Sequence, residues 1–99
     1  MLLIRDIMYC KPGQVRPMVE KFKALNKVMK KMGFGGMRIM TDVSSERYWT
    51  VVAETEVDSL ESYAAMDKKL MKDKGLEKAM KGYHDHVDKG RREIYSIEK

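Results

Sequence analysis

The pattern of hydrophobic and polar positions is most informative between residues 47 and 57. This stretch is rich in β-branched and aromatic residues and contains neither glycine nor proline, which predicts a strand. Side chains alternate between the two faces of a strand, and both faces carry apolar groups here, so we expect a central strand that is covered on both sides. One predicted face carries Trp49, Val51, Ala53 and Thr55, and the other carries Tyr48, Thr50, Val52 and Glu54.

Three further strands are predicted from similar patterns. Residues 2–10 are mostly apolar and end at Pro12 and Gly13, which turn the chain. Residues 37–42 alternate, and only a short polar connection separates them from the strand at 47–57, so these two strands should form an antiparallel hairpin. Residues 91–98, which follow Gly90, complete the set.

Two helical regions separate these strands. Apolar residues recur every three or four positions across residues 14–32, and Pro17 is acceptable only in the first turn. The second region opens at an acidic N-cap signal in residues 58–61. Residues 72–75 interrupt it, and a further helical run from Leu76 to about Asp88 follows.

The resulting order is strand, helix, strand, strand, a helix in two pieces, and strand. This order predicts one α+β domain over residues 1–99, a ferredoxin-like βαββαβ fold in which both helices cover one face of an antiparallel four-stranded sheet. The first and third strands would be central. Because the other sheet face would expose a large apolar patch, we expect a homodimer in which two sheets pack face to face.

Composition adds few constraints. The chain has 20 Lys plus Arg and 15 Asp plus Glu, a net charge of +5 that a solubilising surface explains more simply than a polyanion partner. Cys10 is the only cysteine, so no intramolecular disulfide can form. The apolar opening is cut short by Arg5 and Asp6, too soon for a signal peptide or a membrane span. We therefore expect a cytoplasmic location without membrane attachment.

Familiar catalytic motifs are missing. The sequence has no Walker loop, dinucleotide fingerprint, serine-hydrolase elbow or clustered Cys/His set, so we predict no cofactor and no metal. An RNA-binding module is one alternative, because the same element order builds the RRM. However, the Gly-Phe-Gly string at residues 33–35 precedes the second strand instead of the third, which argues against a nucleic-acid partner. A scaffold without a ligand is the other alternative.

The opening Leu3-Ile-Arg-Asp-Ile-Met-Tyr-Cys-Lys-Pro-Gly13 and the closing Gly90-Arg-Arg-Glu-Ile-Tyr95 carry a family resemblance. The chain resembles the dimeric α+β barrel superfamily, particularly its NIPSNAP-like and antibiotic-biosynthesis-monooxygenase-like groups. The resemblance implies a barrel-shaped dimer, often with a cleft between sheet and helices, and members include cofactor-independent oxygenases, isomerases and haem-degrading enzymes. The haem degraders combine Asn, Trp and His, but the first strand here contains no Asn, which argues against that activity.

Asp67 is the first candidate catalytic residue. It falls on the predicted apolar stripe of the second helix beside Tyr63 and Leu70, where a carboxylate either finds a partner or resists ionisation. A carboxylate that resists ionisation in a cleft is a candidate base. A bend in the helix, or an Arg or Lys partner at the rim, is the simpler alternative.

His84 and His86 are the other candidate proton acceptors. On a regular helix the two imidazoles would lie roughly 200° apart, so they cannot bind one metal ion together. Either one alone could act as an acid or a base. The competing interpretation is that both are half-exposed surface histidines.

The hypothesis that unites these features is a small apolar or aromatic ligand, bound by a homodimer that could be a cofactor-independent monooxygenase or isomerase. Trp49, Tyr63 and Tyr83 would supply the walls of its cleft. Charged Arg5, Asp6 and Glu54 fall on predicted central strands, so at least one must point inward, either in a salt bridge across the dimer or as a clamp on a polar ligand.

Overall fold

The computed structural model describes residues 1–98, so residue 99 of the predicted domain lies outside the described residues. Its element order confirms the predicted order, with one short 3₁₀ turn added before the last strand. The elements are β1 (Leu2–Cys10), α1 (Val15–Lys31), β2 (Arg38–Thr41), β3 (Thr50–Val57), α2 (Leu60–Met71), α3 (Lys74–Met80), the 3₁₀ turn (Tyr83–Asp85) and β4 (Val87–Ser96).

The four strands form one antiparallel sheet with the order β2-β3-β1-β4. The predicted hairpin of β2 and β3 is confirmed, and β1 and β3 are central as expected. The chain therefore has the α+β ferredoxin-like fold that the sequence predicts.

The strand register defines two faces of this sheet. Ile4 lies opposite Thr55 on β3 and opposite Ile94 on β4, so these side chains share the face that the helices cover, which we call the inner face. Its apolar side chains pack against one stripe of α1 to form the core. The buried members of that stripe are Met18, Val19, Phe22 and Met29.

The start of β3 differs from the prediction. The strand begins at Thr50 and not at residue 47, because Trp49 adopts a left-handed conformation (φ 63°) that interrupts the extended backbone. The Thr50 amide donates to the Asp42 side chain at 2.9 Å, which closes the loop before the strand. Tyr48 and Trp49 therefore belong to this loop, and they are 86% and 44% exposed.

The predicted helical run from Leu76 to Asp88 is wrong in its second half. Helix α3 ends at Met80, and Gly82, with φ 82°, turns the chain into the 3₁₀ turn. Strand β4 then begins at Val87 instead of residue 91 and ends at Ser96. Gly90, predicted to stop a helix, lies inside this strand.

A close approach between strands explains the glycine at position 90. Gly90 lies opposite Met8 in the register, and a Cβ atom there would be 2.9 Å from the Met8 sulfur. Any larger residue would require Met8 to move. This position serves packing between β1 and β4 and does not terminate a helix.

Of the helices in residues 1–98, none combines the length and the apolar composition needed to cross a membrane.

Candidate functional site

A cleft of about 1060 Å³ opens between the inner face of the sheet and helices α2 and α3. Ile4 and Met8 of β1 form part of its floor, and Phe22 and Met29 of α1 form one wall. Met66 of α2 lies among the residues that cover it. Most of these side chains are apolar, which suits a hydrophobic ligand.

The cleft exists because α2 covers the sheet with only part of its apolar surface. Met66 and Leu70 are buried on α2, whereas Leu60 and Met71 are 60% and 77% exposed. A sealed core would require more of this helix to face the sheet. The side chains of α2 therefore leave space next to β1 and β4.

A charged pair lies on the floor of this apolar cleft. Asp6 of β1 and Arg92 of β4 are register partners on the inner face, and Arg92 Nε donates to Asp6 Oδ1 at 2.6 Å. Both side chains line the cleft and keep partial exposure, 22% for Asp6 and 50% for Arg92. Charge on a helix-covered sheet face is costly unless it is paired, as it is here.

Tyr63 of α2 completes this polar cluster. Its ring centroid lies 5.4 Å from Arg92 Cζ, within range of a cation–π contact. Burial raises the pKa of the Tyr63 phenol, and the charges of Asp6 and Asp67 raise it further, against the opposing effect of Arg92. At neutral pH Tyr63 is therefore a protonated hydrogen-bond donor.

Arg92 is held in its charged form. Burial alone would lower the pKa of its guanidinium, but the hydrogen bond and negative charge of Asp6 outweigh burial and raise that pKa above its ordinary value. The cleft thus contains a permanent cation beside a neutral phenol.

Asp67 lines the cleft, but it does not occupy the buried position that the sequence predicts. The side chain is exposed at the rim, and the neighbouring Met66 takes the buried place on α2. The reason is that Met66, Leu70 and Tyr63 define the inner side of α2, whereas the predicted stripe ran through exposed Leu60 and Met71. Asp67 is available to a ligand from the solvent side.

The 3₁₀ turn contributes Tyr83 and His84 to the cleft. Both residues line it, and their ring centroids are 3.9 Å apart with the planes tilted by 33°. The predicted wall residues Tyr63 and Tyr83 are therefore brought to the same cleft as the candidate acceptors Asp67 and His84.

Trp49 and His86 lie elsewhere. His86 Nδ1 is 2.8 Å from Gln14 Oε1, and this imidazole does not line the cleft. Trp49 lines a separate depression of about 480 Å³ with Cys10 and Arg47. The left-handed backbone at Trp49 and the early start of β4 account for both displacements.

Sequence reasoning missed Arg92 and left the direction of Asp6 open. Alternation along β1 places Arg5 and Asp6 on opposite faces but does not identify the face that the helices cover. The structure pairs Asp6 with Arg92 on the inner face, and Arg5 with Glu54 on the outer face at 2.9 Å between Arg5 Nε and Glu54 Oε2. In residues 1–98, no cluster of three or more His, Cys, Asp or Glu side chains is arranged to hold a metal ion.

The outer face carries a row of four charged residues, one from each strand, which we call the charge row. In spatial order it contains Arg38, Glu54, Arg5 and Glu93, so the sign alternates across the whole sheet. Glu54 forms ion pairs with both arginines: Oε1 lies 2.6 Å from Arg38 Nη2, and Oε2 lies 2.9 Å from Arg5 Nε. The side chain of Glu54 is only 11% exposed. Apolar Ile7 and Val52 lie in the next row, opposite one another.

Comparison with solved structures identifies the same fold in several proteins. A NIPSNAP domain protein from Burkholderia xenovorans superposes with a TM-score of 0.81 at 14% identity, over 99% of this chain and 95% of that one. A NIPSNAP family protein from Agrobacterium tumefaciens gives 0.81 at 11% identity, over 96% of this chain and 90% of that one. An antibiotic biosynthesis monooxygenase gives 0.74 at 10% identity, with all of both chains covered.

These similarities confirm the resemblance predicted from the sequence at the level of fold. Identities this low carry no information about activity. No protein-family model matches the sequence, and a comparison with curated protein sequences found no match.

Proposed function

We propose that this chain forms a homodimer that binds a small apolar or aromatic molecule in the cleft between sheet and helices. The main observation in support of this proposal is the open cleft between the sheet and the helices. A cleft of about 1060 Å³ with a floor and walls of Ile4, Met8, Phe22 and Met29 remains open beside the core of a 99-residue protein. Apolar clefts of this size with a few convergent polar groups are typical of small-molecule sites.

Binding can be tested with N-phenyl-1-naphthylamine, an uncharged aromatic probe whose fluorescence rises in apolar surroundings. Met80 lines the cleft, so Met80→Trp should fill part of it and weaken binding of the probe. Leu60→Trp is the matched control, because Leu60 is on α2 and exposed but does not line the cleft. Absence of a fluorescence change with the wild-type protein, or equal weakening by both variants, would contradict the proposal and favour a scaffold without a ligand.

A catalytic role is a second candidate, supported by the placement of Asp67 and His84 at the cleft. Either could take a proton from an activated C–H or O–H group of a bound aromatic molecule. The resulting anion would react with dioxygen or be reprotonated at another atom, giving oxidation or isomerisation without a cofactor. His86, bonded to Gln14, is not part of this proposal.

The test of catalysis is a screen of phenols and hydroquinones, followed by absorbance and by oxygen consumption. Asp67→Asn and His84→Gln should each lower turnover, while His86→Gln should leave it unchanged. Binding of N-phenyl-1-naphthylamine without turnover of any compound would favour a binding protein over an enzyme.

The homodimer is proposed from the outer face of the sheet, which no helix of residues 1–98 covers. Ile7 and Val52 form an apolar pair next to the charge row, and Met40 lies beside Val52. The glutamates of this row offset its arginines, so the face is a poor surface for RNA phosphates. We propose a cytoplasmic location, because Cys10 is the only cysteine and a chain that cannot form an internal disulfide suits a reducing compartment.

A further inference from the structure

We propose that Arg92, oriented by Asp6, recognises an oxyanion, so that the ligand of the cleft is an amphipathic anion with an apolar or aromatic body and one carboxylate-like head. This inference rests on the proposed function, because it names the class of molecule that the cleft binds. It goes beyond that function by assigning a recognition role to Arg92, which was not among the predicted site residues, and an orienting role to Asp6, for which a clamp on a polar ligand was one of two alternatives.

The position of Arg92 is the first support. The inner face is apolar around it, since Ile4 and Met8 of β1 lie on either side of the Asp6–Arg92 pair in the strand register. A core of this size gains little net stability from such a pair, because desolvation offsets most of the attraction. A charged pair facing an open cleft is better explained by a ligand than by packing.

The geometry of the guanidinium is the second support. Arg92 uses Nε to reach Asp6 Oδ1, and among residues 1–98 no side chain or backbone group accepts a hydrogen bond from its Nη1 or Nη2. The side chain remains 50% exposed and lines the cleft. One fixed bond orients the guanidinium while its two terminal nitrogens stay free, and such a fork binds carboxylates through paired hydrogen bonds.

The surrounding charges are the third support. Tyr63 lies against Arg92 as a neutral donor, so it adds no repulsion toward an anion. The cations that line the cleft outnumber its carboxylates by one. They are Lys74, Lys78, Lys81 and Arg92, against Asp6, Asp67 and Glu77. A ligand with a single negative charge would neutralise this lining.

The test compares two probes with the same aromatic body. 8-Anilinonaphthalene-1-sulfonate carries one oxyanion, and N-phenyl-1-naphthylamine lacks it. Replacing Arg92 with Gln should weaken binding of the sulfonate about tenfold, because a paired charge-assisted hydrogen bond is lost, and should change binding of the uncharged probe less than about twofold. Arg92→Lys should also weaken sulfonate binding, since lysine keeps the charge without the fork.

Arg91→Gln is the matched control. Arg91 precedes Arg92 on β4, is similarly exposed (48% against 50%) and pairs with Glu93 on the opposite face. It should leave binding of both probes unchanged. Equal effects of the two Gln variants, or equal loss of both probes in Arg92→Gln, would overturn the inference while leaving the proposed function standing. Failure of the wild-type protein to bind either probe would overturn both.

Discussion

Asp6 and Arg92 face one another on neighbouring strands, 86 residues apart in sequence, with Arg92 Nε 2.6 Å from Asp6 Oδ1. The residue before Asp6 makes the equivalent pair on the opposite face of the sheet, where Arg5 meets Glu54. Alternation of side chains along one strand therefore gives each face a charged pair of its own. The inner pair lies in the cleft, and the outer pair belongs to the charge row.

Replacing Asp6 with Asn should lower the free energy of unfolding by about 0.5–1.5 kcal/mol, because a charge-assisted hydrogen bond at a partly exposed site becomes a neutral one. Urea denaturation of Asp6→Asn, Arg92→Gln and the double variant would measure the coupling of the pair. We expect a coupling of about 0.5–1 kcal/mol. Strictly additive effects would show that the pair does not interact in solution.

Gly90→Ala should destabilise the protein by about 1 kcal/mol or less through overpacking, since its Cβ would lie 2.9 Å from the sulfur of Met8, whose flexible side chain must then shift. Met8→Ala in the same chain should recover part of this loss by removing the clash. Gly35→Ala is the matched control, because a Cβ there meets no atom within 4 Å. Thermal unfolding of the wild type, Gly90→Ala, the double variant and Gly35→Ala measures these effects. An equal change in Tm for Gly90→Ala and Gly35→Ala would contradict this account of Gly90.

The phenol of Tyr63 should make stability depend on pH at the alkaline end. Its pKa is raised in the folded protein, chiefly by burial, so the unfolded chain releases this proton more readily. The contribution is therefore present below the ordinary tyrosine pKa and is lost as the pH rises through the higher folded value.

Urea midpoints measured from pH 8 to pH 12 should fall more steeply for the wild-type protein than for Tyr63→Phe, which cannot ionise at this position. Exposed Tyr48 offers a control, since Tyr48→Phe changes a residue that is 86% exposed. Identical pH profiles for wild type and Tyr63→Phe would refute the prediction.

The proposed dimer predicts that Val52→Arg yields monomers. Val52 lies opposite Ile7 at the middle of the outer face, and a third positive side chain near Arg5 and Arg38 would separate two facing sheets. Val43→Arg is the control, because Val43 is fully exposed in the loop before β3. Sedimentation at micromolar concentration measures the mass of the particle in solution. A monomeric wild-type protein would contradict the proposed homodimer.

The sequence predicted those secondary-structure elements that depend mainly on interactions between residues close together in the chain. The periodicity of α1, the hairpin of β2 and β3 and the break between α2 and α3 all follow from short segments, and each is confirmed. The interruption at Trp49 was not predictable, because a left-handed conformation at a bulky residue depends on the surrounding structure.

The candidate site depends on long-range contacts, which explains why it was only partly predicted. Tyr63, Asp67, Tyr83 and His84 come from segments close in sequence, and the structure brings them to one cleft. Arg92 reaches Asp6 only through the pairing of the first and last strands. A strand pattern cannot indicate which of its two faces a distant helix will cover.

The charge row of the outer face has a directional consequence for assembly. Its order of Arg38, Glu54, Arg5 and Glu93 is antisymmetric, since reversing it exchanges every positive position with a negative one. A second copy stacked on this face would place arginine over glutamate only if its row ran backwards. A two-fold axis parallel to the strands, passing between β1 and β3, achieves this reversal, whereas an axis along the row would set each charge against its own copy.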